Sequence, residues 1–162
     1  MSDNETIGSA RQRLKLCNSR AKELSTCCKA QVGAYIYHCG HPVVFGWNCT
    51  MPDSCLEKGC HRVREYGEDS KLHRLPSDCY ALHAEIHALA LAAKGGISVY
   101  NGTIYVSRYP CEACARAIVA AGIRKVVYGG VEEISAQTKQ IFSNANIEVE
   151  FIYQEWGGDT VD

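Results

Sequence analysis

From residue 81 onward the chain alternates, with little slack, between segments that favour helix and segments that favour strand, and that alternation limits the folds open to it. Residues 81–94 are rich in Ala and Leu and run into Gly95-Gly96, a helix with a glycine stop. Residues 102–107 read as a strand, 111–121 as a helix stopped by Gly122, and 124–130 as a buried strand. A helix at 132–145 and an alternating strand at 147–153 complete the series. Strands separated by helices imply a largely parallel sheet covered on both faces. Upstream, residues 9–26 place Leu14, Leu16, Cys17, Ala21 and Leu24 on roughly one helical face. Two β-rich runs at 32–37 and 42–47, joined by His38-Cys39-Gly40-His41, predict a hairpin that supplies an antiparallel edge. The expectation is a single α/β domain over 1–162, a three-layer α/β/α sandwich built on a five-stranded mixed sheet. Residues 48–78 fit none of this. They are polar, lack sustained periodicity and carry Pro52, Pro76 and Gly59. A loop of that length inside a small domain is uncommon unless it is functional or held by something.

Ten cysteines are the next constraint. A chain of 162 residues can bury a sizeable core without crosslinks, so stability alone does not call for them. The start, Met1-Ser2-Asp3-Asn4-Glu5, has neither the positive region nor the apolar block of a secretory signal, and no run of 18 apolar residues predicts a membrane span. A cytoplasmic, reducing setting is therefore expected, where cysteines serve as metal ligands or catalytic groups more often than as crosslinks. The 17 basic and 18 acidic residues leave a net charge of −1, which argues against long tracts of nucleic-acid backbone as a partner.

Two local patterns carry the chemistry. His83-Ala84-Glu85 opens one predicted helix, and Pro110-Cys111-Glu112-Ala113-Cys114 opens the next. Cys111 and Cys114 are three residues apart and share a helix face. A helix, a strand and a second helix return both helix N-termini to one edge of the sheet. One imidazole and two thiolates leave the fourth tetrahedral position open, as a catalytic zinc requires. Helix N-termini favour thiolate over thiol. Zinc lowers the pKa of a bound water to roughly 7, and Glu85 is placed to take its proton and pass it to a leaving group. His-x-Glu followed by Pro-Cys-x-x-Cys is the pattern of zinc-dependent deaminases, in which the Glu is not a ligand. A metalloprotease is not supported: His83 and His87 are four apart, but Ala84 stands where that motif needs Glu. His87 reads as a core or supporting histidine.

Val32-Gly33-Ala34, Gly46-Trp47-Asn48, His83-Ala84-Glu85 and Pro110-Cys111-x-x-Cys114-Ala115 occur in the order found in deoxycytidylate (dCMP) deaminases of bacteria and phages, and the chain resembles that family from roughly residue 10 to 153. The resemblance implies a cytidine-deaminase-like fold and hydrolysis of dCMP to dUMP, a source of dUMP for thymidylate synthesis. It implies zinc on His83, Cys111 and Cys114, Glu85 as proton shuttle, the Ala84 N–H on the pyrimidine carbonyl, Asn48 on the sugar and Lys29 near the phosphate. It also implies a second, structural zinc with Cys27, Cys55, His73 and Cys79 as ligands and Cys60 in reserve, leaving Cys17, Cys28 and Cys39 as ordinary thiols. A homo-oligomer, commonly a hexamer, and dCTP and dTTP as effectors, with Mg2+ accompanying the effector nucleotide, follow from the same source. Where the family reads Gly-Tyr-Asn-Gly, this chain reads Gly46-Trp47-Asn48-Cys49, a departure at a turn that in many relatives contributes to effector sensing. The insert's Lys58, Arg62, Arg64, Lys71 and Arg74 offer further phosphate partners without distinguishing among them. Tyr109 and Tyr128 are candidates to stack on a base. Alternatives are deamination of dCTP, cytidine, guanine or tRNA adenosine, or a non-catalytic zinc-binding module.

Overall fold

The computed structural model describes residues 7–50, 55–67, 79, 81–130 and 134–155. Helix α1 spans Ile7–Leu24 and buries Ala10, Leu14, Cys17 and Ala21, an i, i+4, i+7, i+11 stripe. The hairpin follows as β1 (Gly33–His38) and β2 (His41–Trp47), turned at Cys39 and Gly40, both at positive φ. Between residues 48 and 78, expected as loop, there is more regular structure than the sequence pattern suggests. A two-residue strand β3 (Cys49–Thr50) and two short helices, α2 (Cys55–Lys58) and α3 (His61–Tyr66), precede β4 (Ala81–Leu82), which pairs antiparallel with β3. The helix expected over 81–94 therefore begins only at Ala84. The remaining elements are α4 (Ala84–Gly95), β5 (Thr103–Val106), α5 (Glu112–Ala120), β6 (Lys125–Gly130), α6 (Ala136–Asn144) and β7 (Glu148–Tyr153).

The main sheet has the order β2-β1-β5-β6-β7. It is less parallel than the alternation implies. β1 is antiparallel to both β2 and β5, and only β5-β6-β7 are parallel. The two sheet faces follow the period of two along each strand. Ala34, Ile36, Ile104, Val106 and Val126 face α4, α5 and α6, while Tyr37, Tyr105 and Val127 face α1. The result is the three-layer sandwich, with one helix on one face and three on the other. Among the described residues no helix is long and apolar enough to cross a membrane.

Candidate metal centre

The topology brings three chain segments to one end of the sheet. β1 begins at Gly33, which pairs with Trp47 at the end of β2, and Ala34 pairs with Val106 at the end of β5. Ser107 N–H donates to the Gly33 carbonyl at 3.0 Å, and Gly33 N–H donates to Ser107 Oγ at 3.0 Å. The β3–β4 ribbon, with Cys49 opposite Leu82, delivers His83 to the same end. His83 is the N-cap of α4 rather than part of it, with extended backbone (φ −70°, ψ 149°) and no side-chain cap bond. The ring is turned instead to α5, where Nδ1 lies 3.5 Å from Cys111 Sγ and 3.4 Å from Cys114 Sγ. Cys111 caps α5, its sulfur accepting the Cys114 N–H at 3.5 Å. The three ligand atoms lie within 4.8 Å of one another, the one such His, Cys, Asp or Glu group among the described residues. Two thiols and an imidazole, half-buried to buried, suit zinc, and three protein ligands leave a position for a reactant.

The three side chains are electrostatically coupled. The hydrogen bond with Cys114 and the neighbouring His83 pull the Cys111 thiol down to about 3 against the opposing effect of burial. The Cys114 thiol is pushed up, first by its bond to Cys111 and then by burial. The bond to Cys111 raises His83, burial opposes it, Glu85 adds to the rise and Arg62 works against it. Glu85, in the first turn of α4, is 3% exposed and in hydrogen-bonding contact with Cys114. Burial raises its carboxyl above the ordinary carboxylate range.

The other expected site residues have distinct placements. His87 Nδ1 lies 2.8 Å from the Trp47 carbonyl oxygen and 3.8 Å from Cys49 Sγ, and its ring meets the Trp47 indole edge-on at 4.5 Å. It supports the β2–β3 corner and is not drawn to the triplet. Asn48 is buried and pins the segment before β1: its Oδ1 accepts from Ser25 Oγ at 2.7 Å and from Val32 N–H at 2.8 Å, and Nδ2 donates to the Ala30 carbonyl at 2.7 Å. Ser25, the partner of Asn48, lies 23 residues away in sequence. Lys29 is exposed on that same pinned segment. Tyr128 is in the core, stacked on Phe151 at 5.0 Å with its hydroxyl accepting the Ile134 N–H, so it is not available to a base. Of the expected second set, Cys27 is buried, Cys55 and Cys79 are half-buried, and His73 lies outside the described residues. Cys28, expected as an ordinary thiol, is exposed and electrostatically linked to Cys55, Cys27 and Cys60, which add to the effect of burial in raising it.

A five-stranded mixed sheet between helical layers, with a His-Cys-Cys triplet where two helix N-termini meet at one sheet edge, defines the class: a cytidine-deaminase-like fold with three side chains that could hold a metal. The structure resembles the dCMP deaminase of cyanophage S-TIM5 with a TM-score of 0.67 at 22% identity, covering 92% of this chain and all of that one, in a crystal of that enzyme with dCMP and dUMP. The chain belongs to the MafB19-like deaminase family, whose model matches residues 10–157. It is 30% identical to the deoxycytidylate deaminase of Enterobacteria phage T4, over 77% of this chain and 80% of that protein. It is also 27% identical to ComE operon protein 2 of Bacillus subtilis (strain 168), over 78% of this chain, and spans 62% of that protein's length.

Proposed function

We propose that this deaminase acts on dCMP, consuming water and releasing dUMP and ammonia, with zinc held by His83, Cys111 and Cys114. The observation that carries the reading is Glu85, a carboxyl 3% exposed, placed against a metal ligand, with a proton affinity raised by burial. A purely structural Cys/His site has no use for it. When bound, zinc supplies Lewis-acid activation of a water near neutral pH. Glu85 takes the proton from the attacking water and returns it to the departing amine, a task suited to a carboxyl tuned upward. The Ala84 N–H, in the first turn of α4 and outside its internal hydrogen-bond ladder, holds the pyrimidine carbonyl. Asn48 has given both acceptor positions and one N–H to the protein, so its contact with the sugar is through its remaining N–H. Lys29 meets the phosphate as a point charge.

The same reading places a structural zinc in the insert on Cys27, Cys55, His73 and Cys79, with Cys60 in reserve. In its support, Cys27, Cys55 and Cys60 each act electrostatically on Cys28.

The test is ammonia release from dCMP, dCTP, CMP, deoxycytidine, guanine and an adenosine-containing tRNA anticodon stem-loop, each offered to the zinc-loaded protein. The expected result is the highest kcat/KM for dCMP. Turnover of deoxycytidine without turnover of dCMP overturns the substrate assignment.

A further inference from the structure

In the reading above the substrate spans two segments of chain, its sugar at Asn48 after β2 and its ring at Ala84 and Glu85 in the first turn of α4. The His-Cys-Cys triplet ties α4 to α5. The tie between α4 and the end of β2 is His87. It lies one turn into α4, its N–H donating to the His83 carbonyl at 2.9 Å. The next residue, Ala88, comes down with its backbone onto Gly46, where β2 has no side chain to hold the helix off. That close approach carries the imidazole to the edge strand β2.

Trp47 stands opposite Gly33, but Gly33 gives its N–H and its carbonyl to Ser107. The Trp47 N–H and carbonyl both turn to His87 Nδ1, at 3.4 and 2.8 Å. The shorter contact, to an oxygen, requires the ring proton on Nδ1. The imidazole meets the Trp47 indole edge-on, with centroids 4.5 Å apart and planes at 71°, which keeps the ring in that orientation. The accepting carbonyl belongs to the same peptide unit as the Asn48 N–H, and that N–H donates to the Val32 carbonyl at 3.0 Å. One rigid plane is thus held by the segment entering β1 on one side and by α4 on the other. Asn48 leaves directly from it, its amide already fixed by Ser25, Ala30 and Val32, so a shift of the plane moves the amide with it.

Resting on the dCMP reading above, we propose that His87 is a positioning residue: through the Trp47 carbonyl it sets the separation between the sugar contact at Asn48 and the reacting end of the site at Ala84 and Glu85. It acts through the backbone of β2 and holds neither substrate nor metal. Its N–H matters most to a ligand that must engage both ends at once, a pyrimidine with its sugar attached, because a small misplacement of one end spoils the alignment of the other. Metal binding, which draws on α4 and α5, is independent of it.

The experiment combines calorimetry of dUMP binding and steady-state kinetics on dCMP for the zinc-loaded protein with absorption spectra of the Co2+-substituted protein. His87→Phe keeps an aromatic ring and removes the donor. His87→Asn puts an amide N–H at the δ position, where Nδ1 stands, and gives up the ring. In His87→Phe the dUMP Kd and the dCMP KM are expected to rise about 3- to 10-fold, the worth of one uncharged hydrogen bond, with zinc content and the Co2+ spectrum unchanged. His87→Asn is expected to bring both constants back close to wild type despite the lost ring. Should His87→Phe not fold, His87→Gln, whose amide lies one carbon further out, takes its place with the same expected loss. Wild-type dUMP affinity in the variant without the donor overturns the proposal. So does an equal loss in His87→Asn, which assigns the effect to ring packing, or an altered Co2+ spectrum, which makes His87 a support of the metal ligands. Each of these leaves the dCMP reading standing as long as the wild type turns over dCMP. A wild type that neither turns over dCMP nor binds dUMP refutes that reading and this role together.

Discussion

Glu85 is the residue on which catalysis and mere metal binding part company. It is buried beside Cys114, and its neighbour Ala84 is fully buried beneath the first turn of α4, so the carboxyl has little freedom to turn away. Glu85→Gln preserves the shape and removes the ability to carry a proton. The expected outcome is unchanged zinc content and unchanged circular dichroism, with kcat on dCMP reduced about 10²- to 10⁴-fold, the span of general acid–base catalysis. Retention of wild-type turnover in that variant contradicts the proton-shuttle role. The His-Cys-Cys triplet and this carboxyl were legible in the sequence as a group because each half is local: His83 and Glu85 are two apart, Cys111 and Cys114 three apart. The Ser25–Asn48 bond was not legible in the same way, because it joins residues 23 apart that only the fold brings together.

At the scale of elements, β2 and α4 approach each other tightly at Gly46. A Cβ added to Gly46 meets the Ala88 backbone nitrogen at 2.3 Å and the Ala84 carbonyl oxygen at 2.4 Å. Both atoms belong to the helix backbone and cannot rotate aside, so Gly46→Ala must lift the first turns of α4 from the sheet. Overpacking of this kind costs about 1–3 kcal/mol, at times more. Because the displaced turn carries Glu85 and follows His83, zinc affinity is expected to fall along with urea stability. Gly40→Ala, at a turn with open space around it but φ +78°, is the contrast: it strains one residue and leaves zinc affinity as it was. Equal zinc affinity in Gly46→Ala and wild type removes the mechanical link between β2 and the metal centre. The alternation of strands and helices announced these elements, yet not that β1 sits inside the sheet. The crossover through α4 leaves β5 parallel to β2, but β5 docks beyond β1 and so meets it antiparallel. Which slot the returning strand takes is decided by packing on both faces, and no period in the sequence records it. The β3–β4 ribbon escaped notice for a simpler reason: two residues in each strand are too few to show alternation.

For the molecule as a whole, the question is how firmly the metal is coupled to the fold. Among the described residues, the two apolar faces of the sheet are packed by α1 and by α4–α6 and the core clusters take none from the insert, whose α2 buries no side chain. Metal removal should therefore loosen residues 48–82 and the centre while the sandwich persists. Zinc demands a neutral His83 and two deprotonated sulfurs. In the metal-free protein Cys111 is held at about 3 by Cys114 and His83, so its proton is already gone at neutral pH. Cys114 is raised and must give up its proton on binding; His83 is raised as well and gives up another wherever the pH lies below its elevated value. The sign follows: affinity strengthens with rising pH, by about tenfold per unit above the His83 transition and about a hundredfold per unit below it. Competition titrations with a chromogenic chelator across that range test this, and an affinity independent of pH contradicts the assigned proton inventory. Zinc analysis of the same samples should give two ions per chain, of which the insert's is lost first to chelator, with amide exchange rising in 48–82 before it rises in β5 or β6. A single ion, lost with no change in exchange across the insert, leaves the centre at His83 intact and takes the second metal out of the molecule.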